Sequence, residues 1–214
     1  FTAKIEWDDG TLFRRVKDNC FNPESVLLDM NKTNVDVQAM CTVPVMFNYN
    51  IDRTAGAAWS SFLNDDISQT VKSHPDRFIG LGTLPLQDPI AAAKEAERAV
   101  KDLGLRGFQV GSTINVTDSN GNRKDLMLSD PSLKPVWQTC EKLGVGIFVH
   151  PWDMSWAHKD YWLPWLVGMP AEVSLAICNV MFGGLFDACP KLKWMFAHGS
   201  GSFLGTMGRV EWGA

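Results

Sequence analysis

Short apolar runs alternate with amphipathic segments along most of this chain. Five apolar runs, rich in β-branched and aromatic residues, predict buried strands at 35–44, 77–86, 105–111, 144–151 and 192–198. Four segments with apolar residues at helical spacing predict helices at 55–73, 88–103, 132–143 and 172–189. The repeated order of strand, helix and strand predicts a parallel sheet with crossover helices, an α/β fold.

Local signals refine three of these segments. Asp88 is a candidate N-cap for the helix at 88–103, and Gly104 is its candidate C′ glycine. The turn-rich stretch 118–128 predicts an exposed loop. The most apolar stretch, 173–186, is interrupted by Asn179, and a membrane span needs about 20 apolar residues, so we expect a buried helix there.

The number of predicted strands favours an incomplete (β/α)8 barrel. A (β/α)8 barrel has eight strands and typically about 250 residues, whereas this chain has 214 residues and five predicted strands. We therefore expect one incomplete TIM-barrel domain over 1–214, a fragment truncated at both ends. An open five-stranded sheet is the alternative.

Composition excludes some partners. The chain is 45% hydrophobic and has a net charge of −4, and its Lys and Arg residues form no runs, so no nucleic-acid partner is expected. The five cysteines are dispersed and form no Cys-x-x-Cys pair. This pattern is typical of free thiols in a reducing compartment and predicts a cytoplasmic protein.

Two histidines stand at the ends of predicted strands. His150 and His198 each follow a buried apolar run, where side chains of an α/β barrel reach the active-site mouth. Each is a candidate metal ligand, and each could equally be a hydrogen-bonded core or surface residue. The Gly- and Ser-rich turn 199–202 could offer backbone N–H groups to an anion.

Two arginines and two tryptophans are further candidates. Arg14 and Arg209 could bind carboxylates, although a solvated surface charge is the simpler interpretation for each. Trp162 and Trp165 could wall a pocket for a flat conjugated molecule or pack into a core or a subunit interface.

Taken together, these motifs resemble the 2-amino-3-carboxymuconate-6-semialdehyde decarboxylases, a family within the amidohydrolase superfamily. The resemblance runs across almost the whole chain. It rests on five blocks: VQAMCTVPVMF (37–47), RFIGLGTLP (77–85), FVHPWDM (148–154), YWLPWLVGMPAE (161–172) and PKLKWMFAHG (190–199).

The resemblance implies a zinc-dependent, non-oxidative decarboxylase on a TIM barrel. It would act in the kynurenine branch of tryptophan catabolism and divert material from quinolinate and NAD synthesis. By resemblance, His150 matches a zinc ligand, and His198 matches the histidine that activates water. Arg14 matches a substrate-carboxylate ligand, and Arg209 matches an arginine supplied across a homodimer interface. Met154 and Trp165 match pocket-lining positions.

The chain also departs from the family pattern. The family's His-x-His pair would precede Phe1 and its strand-end aspartate would follow Ala214, so we expect the chain as given to lack a complete zinc site and activity. Two other functions stay open. One is a related decarboxylase or hydrolase, such as a hydroxybenzoate decarboxylase; the other is an inactive paralogue that serves as a dimer partner.

Overall fold

A computed structural model describes residues 2–6, 9–117, 120–154 and 156–213. Its strands are β1 (Thr2–Glu6), β2 (Leu12–Lys17), β3 (Gln38–Met40), β4 (Phe78–Gly82), β5 (Gly107–Gly111), β6 (Thr113–Thr117), β7 (Arg123–Met127), β8 (Gly146–His150) and β9 (Lys193–Phe196). Its α-helices are α1 (Pro23–Lys32), α2 (Arg53–Ser73), α3 (Pro89–Lys101), α4 (Lys134–Leu143), α5 (Met169–Phe182), α6 (Leu185–Ala188) and α7 (Phe203–Gly213).

The five predicted strands form one sheet, as expected. Its order is β3-β4-β5-β8-β9, and every neighbouring pair is parallel. The spatial order therefore follows the chain order without reversal. A doubly wound open sheet reverses its strand order at a switch point, whereas a barrel does not. The topology is that of five consecutive strands of a (β/α)8 barrel, and the open sheet is the wrong alternative.

The two faces of the sheet differ in burial. Side chains such as Phe108, Val110, Ile147 and Val149 are fully buried in the main hydrophobic core, which also contains Trp137 of α4. The opposite face carries the other residues of each strand, because successive side chains alternate between faces. His150 belongs to that opposite face, which is the interior side of the barrel.

A buried polar network fixes α2 and α3 against the sheet. Asn64 is completely buried and donates from Nδ2 to the Thr83 carbonyl oxygen (3.0 Å) and to Glu95 Oε1 (2.7 Å). Its Oδ1 accepts from the Thr83 amide at 2.7 Å. Arg98 pairs with Glu95, so the buried carboxylate is neutralised by a neighbour on the same helix. The network sets the position of the loop that follows β4.

The predicted helices are present with shifted ends. Asp88 caps α3 by accepting from the Ile90 and Ala91 amides, as predicted. The helix predicted at 172–189 is wrong as a single element, because it is α5 and α6 separated at Gly183 and Gly184. Gly184 has a φ of 71°, a left-handed conformation that ends a regular helix.

The loop predicted at 118–128 is wrong over most of its described length. Arg123–Met127 is β7, and it pairs antiparallel with β6, so the segment is a hairpin. Asp118 and Ser119 lie outside the described residues. The Asn120-Gly121 pair, with Gly121 at a φ of 81°, is a strong hairpin signal that the turn-rich composition concealed. The hairpin of β1 and β2 and the helix α1 were also not predicted.

The helical run Asp160–Phe182 has the length and apolar composition of a membrane span, with a mean hydropathy of 1.5. Its second half, α5, buries Val173, Ala176 and Val180. Two of these residues, Ala176 and Val180, belong to the main core. The predicted burial is confirmed for this face of α5, whereas Leu175 and Phe182 on the same helix are exposed.

Candidate active site

His150 and His198 meet at one edge of the sheet. His150 is the last residue of β8, and His198 follows the end of β9 by two residues. Because β8 and β9 are parallel neighbours, their carboxyl ends lie side by side. The two imidazole rings are 5.0 Å apart between centroids and lie edge to face at 68°. The structure therefore brings together the two histidines that the sequence singled out.

The surroundings of His150 fix its tautomer and charge. Its Nδ1 lies 2.7 Å from the Pro151 carbonyl oxygen. A carbonyl can only accept, so Nδ1 carries the proton and Nε2 keeps its lone pair. Burial lowers the pKa of His150 below its usual value, and the neighbouring His198 adds to that effect. A neutral imidazole with a free Nε2 and a backbone acceptor behind it is the usual form of a metal-binding histidine.

A divalent metal fits this edge of the sheet in part. His150 has the geometry of one ligand, and His198 stands close enough to act beside it. Within the described ranges, no group of three or more His, Cys, Asp or Glu side chains converges on one point. The described residues thus supply one imidazole ligand of a metal centre and do not complete its coordination.

The backbone after β9 holds His198 in an uncommon conformation. The four residues His198, Gly199, Ser200 and Gly201 have φ values of 54°, 59°, 68° and 63°. Non-glycine residues rarely adopt this left-handed region, and such strain concentrates at functional sites. A side chain at Gly201 would overlap the carbonyl of Pro170, the second residue of α5. Contact with α5 therefore locks the turn that carries His198.

The anion site expected in the turn 199–202 is not supported. The amides of Ser200, Gly201 and Ser202 already donate to the carbonyl oxygens of Ala197, His198 and Pro170. Three of the four amide groups are therefore committed to contacts within the protein. The turn positions His198 and does not present a nest of free N–H groups.

A cavity of about 700 Å³ opens beside the loop that follows β8. Met154 and Trp165, both singled out by the sequence, lie on its wall together with Trp152, Phe47 and Tyr49. Phe47 and Tyr49 stack with centroids 5.5 Å apart, and Tyr49 accepts a hydrogen bond from the Gly111 amide. The wall is aromatic and rigid, which suits a flat conjugated ligand. The roles of Met154 and Trp165 in binding stay predictions.

The two arginines lie elsewhere. Arg14 is exposed on β2, with its guanidinium carbon 5.8 Å from the ring centroid of Phe13. Phe13 lines the cavity, and Arg14 is not among the described residues that do. Arg209 is exposed on α7 and also lies outside that set. The structure does not bring either arginine onto this cavity, and their substrate-binding roles stay predictions.

Sequence reasoning missed the charged residues of the cavity wall. Arg123, Asp153 and Lys159 line it. Arg123 comes from β7, in the segment predicted as a loop, and pairs with Asp153 through Nη1 and Oδ2 at 2.6 Å. The Asn-Gly hairpin signal could have placed Arg123 near the strand ends. Lys159 carries no comparable signal in the sequence.

The buried carboxylate of Glu172 contacts the loop that follows β8. Glu172 of α5 is buried and accepts from the hydroxyls of Ser112 (3.1 Å) and Thr113 (2.7 Å). Its Oε2 accepts from the Trp156 indole nitrogen at 3.1 Å. Three donors satisfy this carboxylate, which a buried charge requires. Glu172 thereby joins α5, the start of the β6–β7 hairpin and the loop after β8.

Comparison with known proteins agrees with this geometry. The family model described as Amidohydrolase matches residues 7–213, and the chain belongs to that family. It is 46% identical over 96% of its length to the 2-amino-3-carboxymuconate-6-semialdehyde decarboxylase of Dictyostelium discoideum, and 37% identical over 96% to that of Caenorhabditis elegans. It spans 55% and 62% of the lengths of these two relatives.

A solved structure supports the fold. The dihydroxybenzoic acid decarboxylase of Polaromonas sp. JS666, with bound manganese and the inhibitor 2-nitroresorcinol, is 27% identical and superposes with a TM-score of 0.78. The match covers 88% of this chain and 57% of that one. The predicted resemblance to the amidohydrolase superfamily and its decarboxylases is confirmed.

Proposed function

We propose that this chain is part of a metal-dependent, non-oxidative decarboxylase that converts 2-amino-3-carboxymuconate 6-semialdehyde to 2-aminomuconate 6-semialdehyde and CO2. The observation that carries the proposal is the pair of histidines at adjacent strand ends. Neither histidine lines the aromatic cavity, but Trp152, two residues after His150, does. The 46% identity to a decarboxylase of that substrate supports the choice of reaction.

His150 would hold the metal through Nε2, with Nδ1 fixed by the Pro151 carbonyl. We propose zinc, because imidazole is one of its preferred ligands; manganese is bound in the related dihydroxybenzoic acid decarboxylase. When bound, a divalent metal supplies Lewis acidity and lowers the pKa of a coordinated water to near neutrality.

His198 would move the proton. A ring nitrogen of His198 accepts a proton from water, and the resulting hydroxide adds to the conjugated system of the substrate. The proton held by His198 is delivered to the carbon that bears the leaving carboxylate and forms the new C–H bond. The bond between that carbon and the carboxylate then breaks with release of CO2; its electron pair restores the double bond and expels the hydroxide, which takes a proton from the solvent and leaves as water. The net change replaces a carboxylate by hydrogen and consumes one proton.

The cavity would orient the substrate. Trp165 and Met154 pack against the conjugated stem, and this contact excludes water from the reacting carbon. Arg14 and Arg209 would bind carboxylates, with Arg209 reaching the site of a second copy in a homodimer. The exposed position of Arg209 on α7 supports a role across a subunit interface.

The proposed reaction belongs to the kynurenine branch of tryptophan catabolism, where it limits the material available for quinolinate and NAD synthesis. The dispersed cysteines support a cytoplasmic location. The related dihydroxybenzoic acid decarboxylase makes decarboxylation of a hydroxybenzoate the second candidate reaction.

The experiment uses the protein expressed from its complete coding sequence. Metal is removed with a chelator, and zinc or manganese is restored. We expect turnover of the semialdehyde to disappear with the metal and to return with it, with equimolar CO2 and 2-aminomuconate 6-semialdehyde. Turnover that is unaffected by chelation, or turnover of 2,6-dihydroxybenzoate alone, would contradict the proposal.

A further inference from the structure

Few charged side chains line the cavity, and they differ in whether they already have a partner of opposite charge. Among the described residues that line it, only Arg123, Asp153 and Lys159 are charged. The remaining lining groups are aromatic, aliphatic or uncharged polar side chains. Any ion that the cavity binds must therefore be recognised mainly by these three residues.

The guanidinium of Arg123 is already paired with two carboxylates, those of Asp125 and Asp153. Arg123 donates from Nε and Nη2 to the carboxylate of Asp125 at 2.8 and 3.2 Å, and its Nη1 lies 2.6 Å from Asp153 Oδ2. All three guanidinium nitrogens thus have carboxylate partners. The hydrogen bonds that Arg123 donates to Asp125 and the negative charge of Asp153 raise the pKa of Arg123, so it stays protonated within this group. The guanidinium therefore links the β6–β7 hairpin to the loop after β8.

Lys159 is the cation that remains. It makes no ion pair within the part of the chain that the structure describes, and it is exposed to the solvent of the cavity mouth. Its ammonium group has three donors on a flexible stem, so it can follow a carboxylate that enters the cavity. Among the described residues that line the cavity, Lys159 is thus the cation without a carboxylate partner.

The backbone around Lys159 is constrained on both sides. Asp153, Tyr161 and Trp162 have φ values of 56°, 53° and 61°, which non-glycine residues rarely adopt. Asp153 is held by Arg123, and the intervening Trp156 is held by Glu172. Asp153 and Trp156, which precede Lys159, are thus tied to the hairpin and to α5, and Lys159 lies on the cavity wall.

We propose that Lys159 binds a carboxylate of the substrate and determines the preference of this site for conjugated dicarboxylates over neutral analogues. The inference rests on the proposed function, since it names a specificity-determining residue for that reaction. Arg14 and Arg209 do not line this cavity, so the carboxylate contact proposed for Lys159 is separate from the contacts proposed for them.

The test measures binding and turnover separately in the protein expressed from its complete coding sequence. Lys159→Ala, Lys159→Arg and Lys159→Glu are compared with the control Lys94→Ala, which removes an exposed lysine from α3. Calorimetry gives the dissociation constants of cis,cis-muconate and of its uncharged dimethyl ester. Steady-state kinetics give KM and kcat for the semialdehyde.

We expect Lys159→Ala to weaken muconate binding about tenfold and to raise KM by a similar factor, with kcat nearly unchanged, because one charge-assisted hydrogen bond is lost. Lys159→Glu should weaken muconate binding further, and Lys159→Arg should restore most of it. Binding of the dimethyl ester and the Lys94→Ala control should stay as in the unaltered protein.

Two failures are distinguishable. Unchanged muconate binding and unchanged KM in Lys159→Ala would overturn the role of Lys159 while turnover by the unaltered protein still upheld the decarboxylase. A protein that binds muconate through Lys159 without converting the semialdehyde would overturn the proposed function and leave the dicarboxylate site in place. Equal losses for muconate and the dimethyl ester would show that the substitution disturbs the cavity and would also overturn the charge assignment.

Discussion

The imidazole rings of His150 and His198 lie edge to face with their centroids 5.0 Å apart, at the ends of two adjacent parallel strands. Of the two, only His150 has a carbonyl behind Nδ1 among the described residues, and this contact prepares its Nε2 for a metal. His198 sits on a strained turn that α5 locks in place. The two histidines are therefore held differently, and this asymmetry supports two different roles.

Removal of each ring should separate these roles. We expect His198→Ala to retain metal and to lose turnover by a factor of about 100 or more, because it removes a general base. His150→Ala should lose metal and turnover together, because it removes a ligand. Metal content is measured by elemental analysis beside kcat. Equal loss of metal in both variants would remove the basis for assigning a proton-transfer role to His198.

The turn after His198 should not tolerate a side chain at Gly201. A Cβ there would overlap the Pro170 carbonyl, in a backbone conformation that already disfavours side chains. We expect Gly201→Ala to lower kcat by about tenfold or more and to cost about 1–3 kcal/mol of stability.

Two glycines serve as controls for that substitution. Gly199 shares the left-handed backbone but has open space around its Cβ position, so Gly199→Ala reports strain without overlap. Gly205, inside α7, has open space as well, and Gly205→Ala should leave kcat unchanged. Kinetics and thermal unfolding measure all three; a Gly201→Ala variant with the kcat of the unaltered protein would show that the turn does not position His198.

The buried amide of Asn64 should contribute strongly to stability. Asn64→Ala removes three hydrogen bonds and leaves the buried Thr83 amide without its acceptor. We expect a loss of about 2–3 kcal/mol in the free energy of unfolding, measured by urea denaturation. Gln69→Ala, which removes an exposed amide from the same helix, should change it by less than about 0.5 kcal/mol. Similar small losses in both variants would mean that the network is not a structural anchor.

A shared active site predicts complementation between inactive subunits. If Arg14 and Arg209 serve one site from two subunits, a hybrid dimer of Arg14→Ala and Arg209→Ala contains one intact site. Random reassociation of the two inactive variants should then restore about a quarter of the activity of the unaltered protein. Activity is measured after mixing under conditions that exchange subunits. If mass spectrometry shows that the subunits have exchanged but no turnover returns, the shared site is contradicted.

The sequence predicts the parallel strands well because each contains an apolar run that packs against the core. It also predicts the meeting of His150 and His198, since parallel neighbours end at the same edge. The helix at 172–189 was predicted too long because apolar periodicity continues across Gly183 and Gly184, where backbone conformation ends the helix. Hydrophobic pattern does not report such a break.

The cavity was less predictable. Arg123 and Asp153 are distant in sequence and meet only because the β6–β7 hairpin folds against the loop after β8. Polar, exposed strands such as β7 lack the apolar pattern of a buried strand, so the hairpin looked like a loop. The specific roles of Arg14 and Arg209 come from the resemblance, and the structure places both on the surface, outside the set of residues that line this cavity.

The most direct test of the account is the turnover of two acids by the protein expressed from its complete coding sequence, loaded with zinc. Substrate loss and CO2 release are followed together for 2-amino-3-carboxymuconate 6-semialdehyde and for 2,6-dihydroxybenzoate. We expect equimolar CO2 and 2-aminomuconate 6-semialdehyde from the first acid, with a kcat/KM at least about 100-fold above that for the second. No CO2 from the semialdehyde, or a preference for the dihydroxybenzoate, would contradict it.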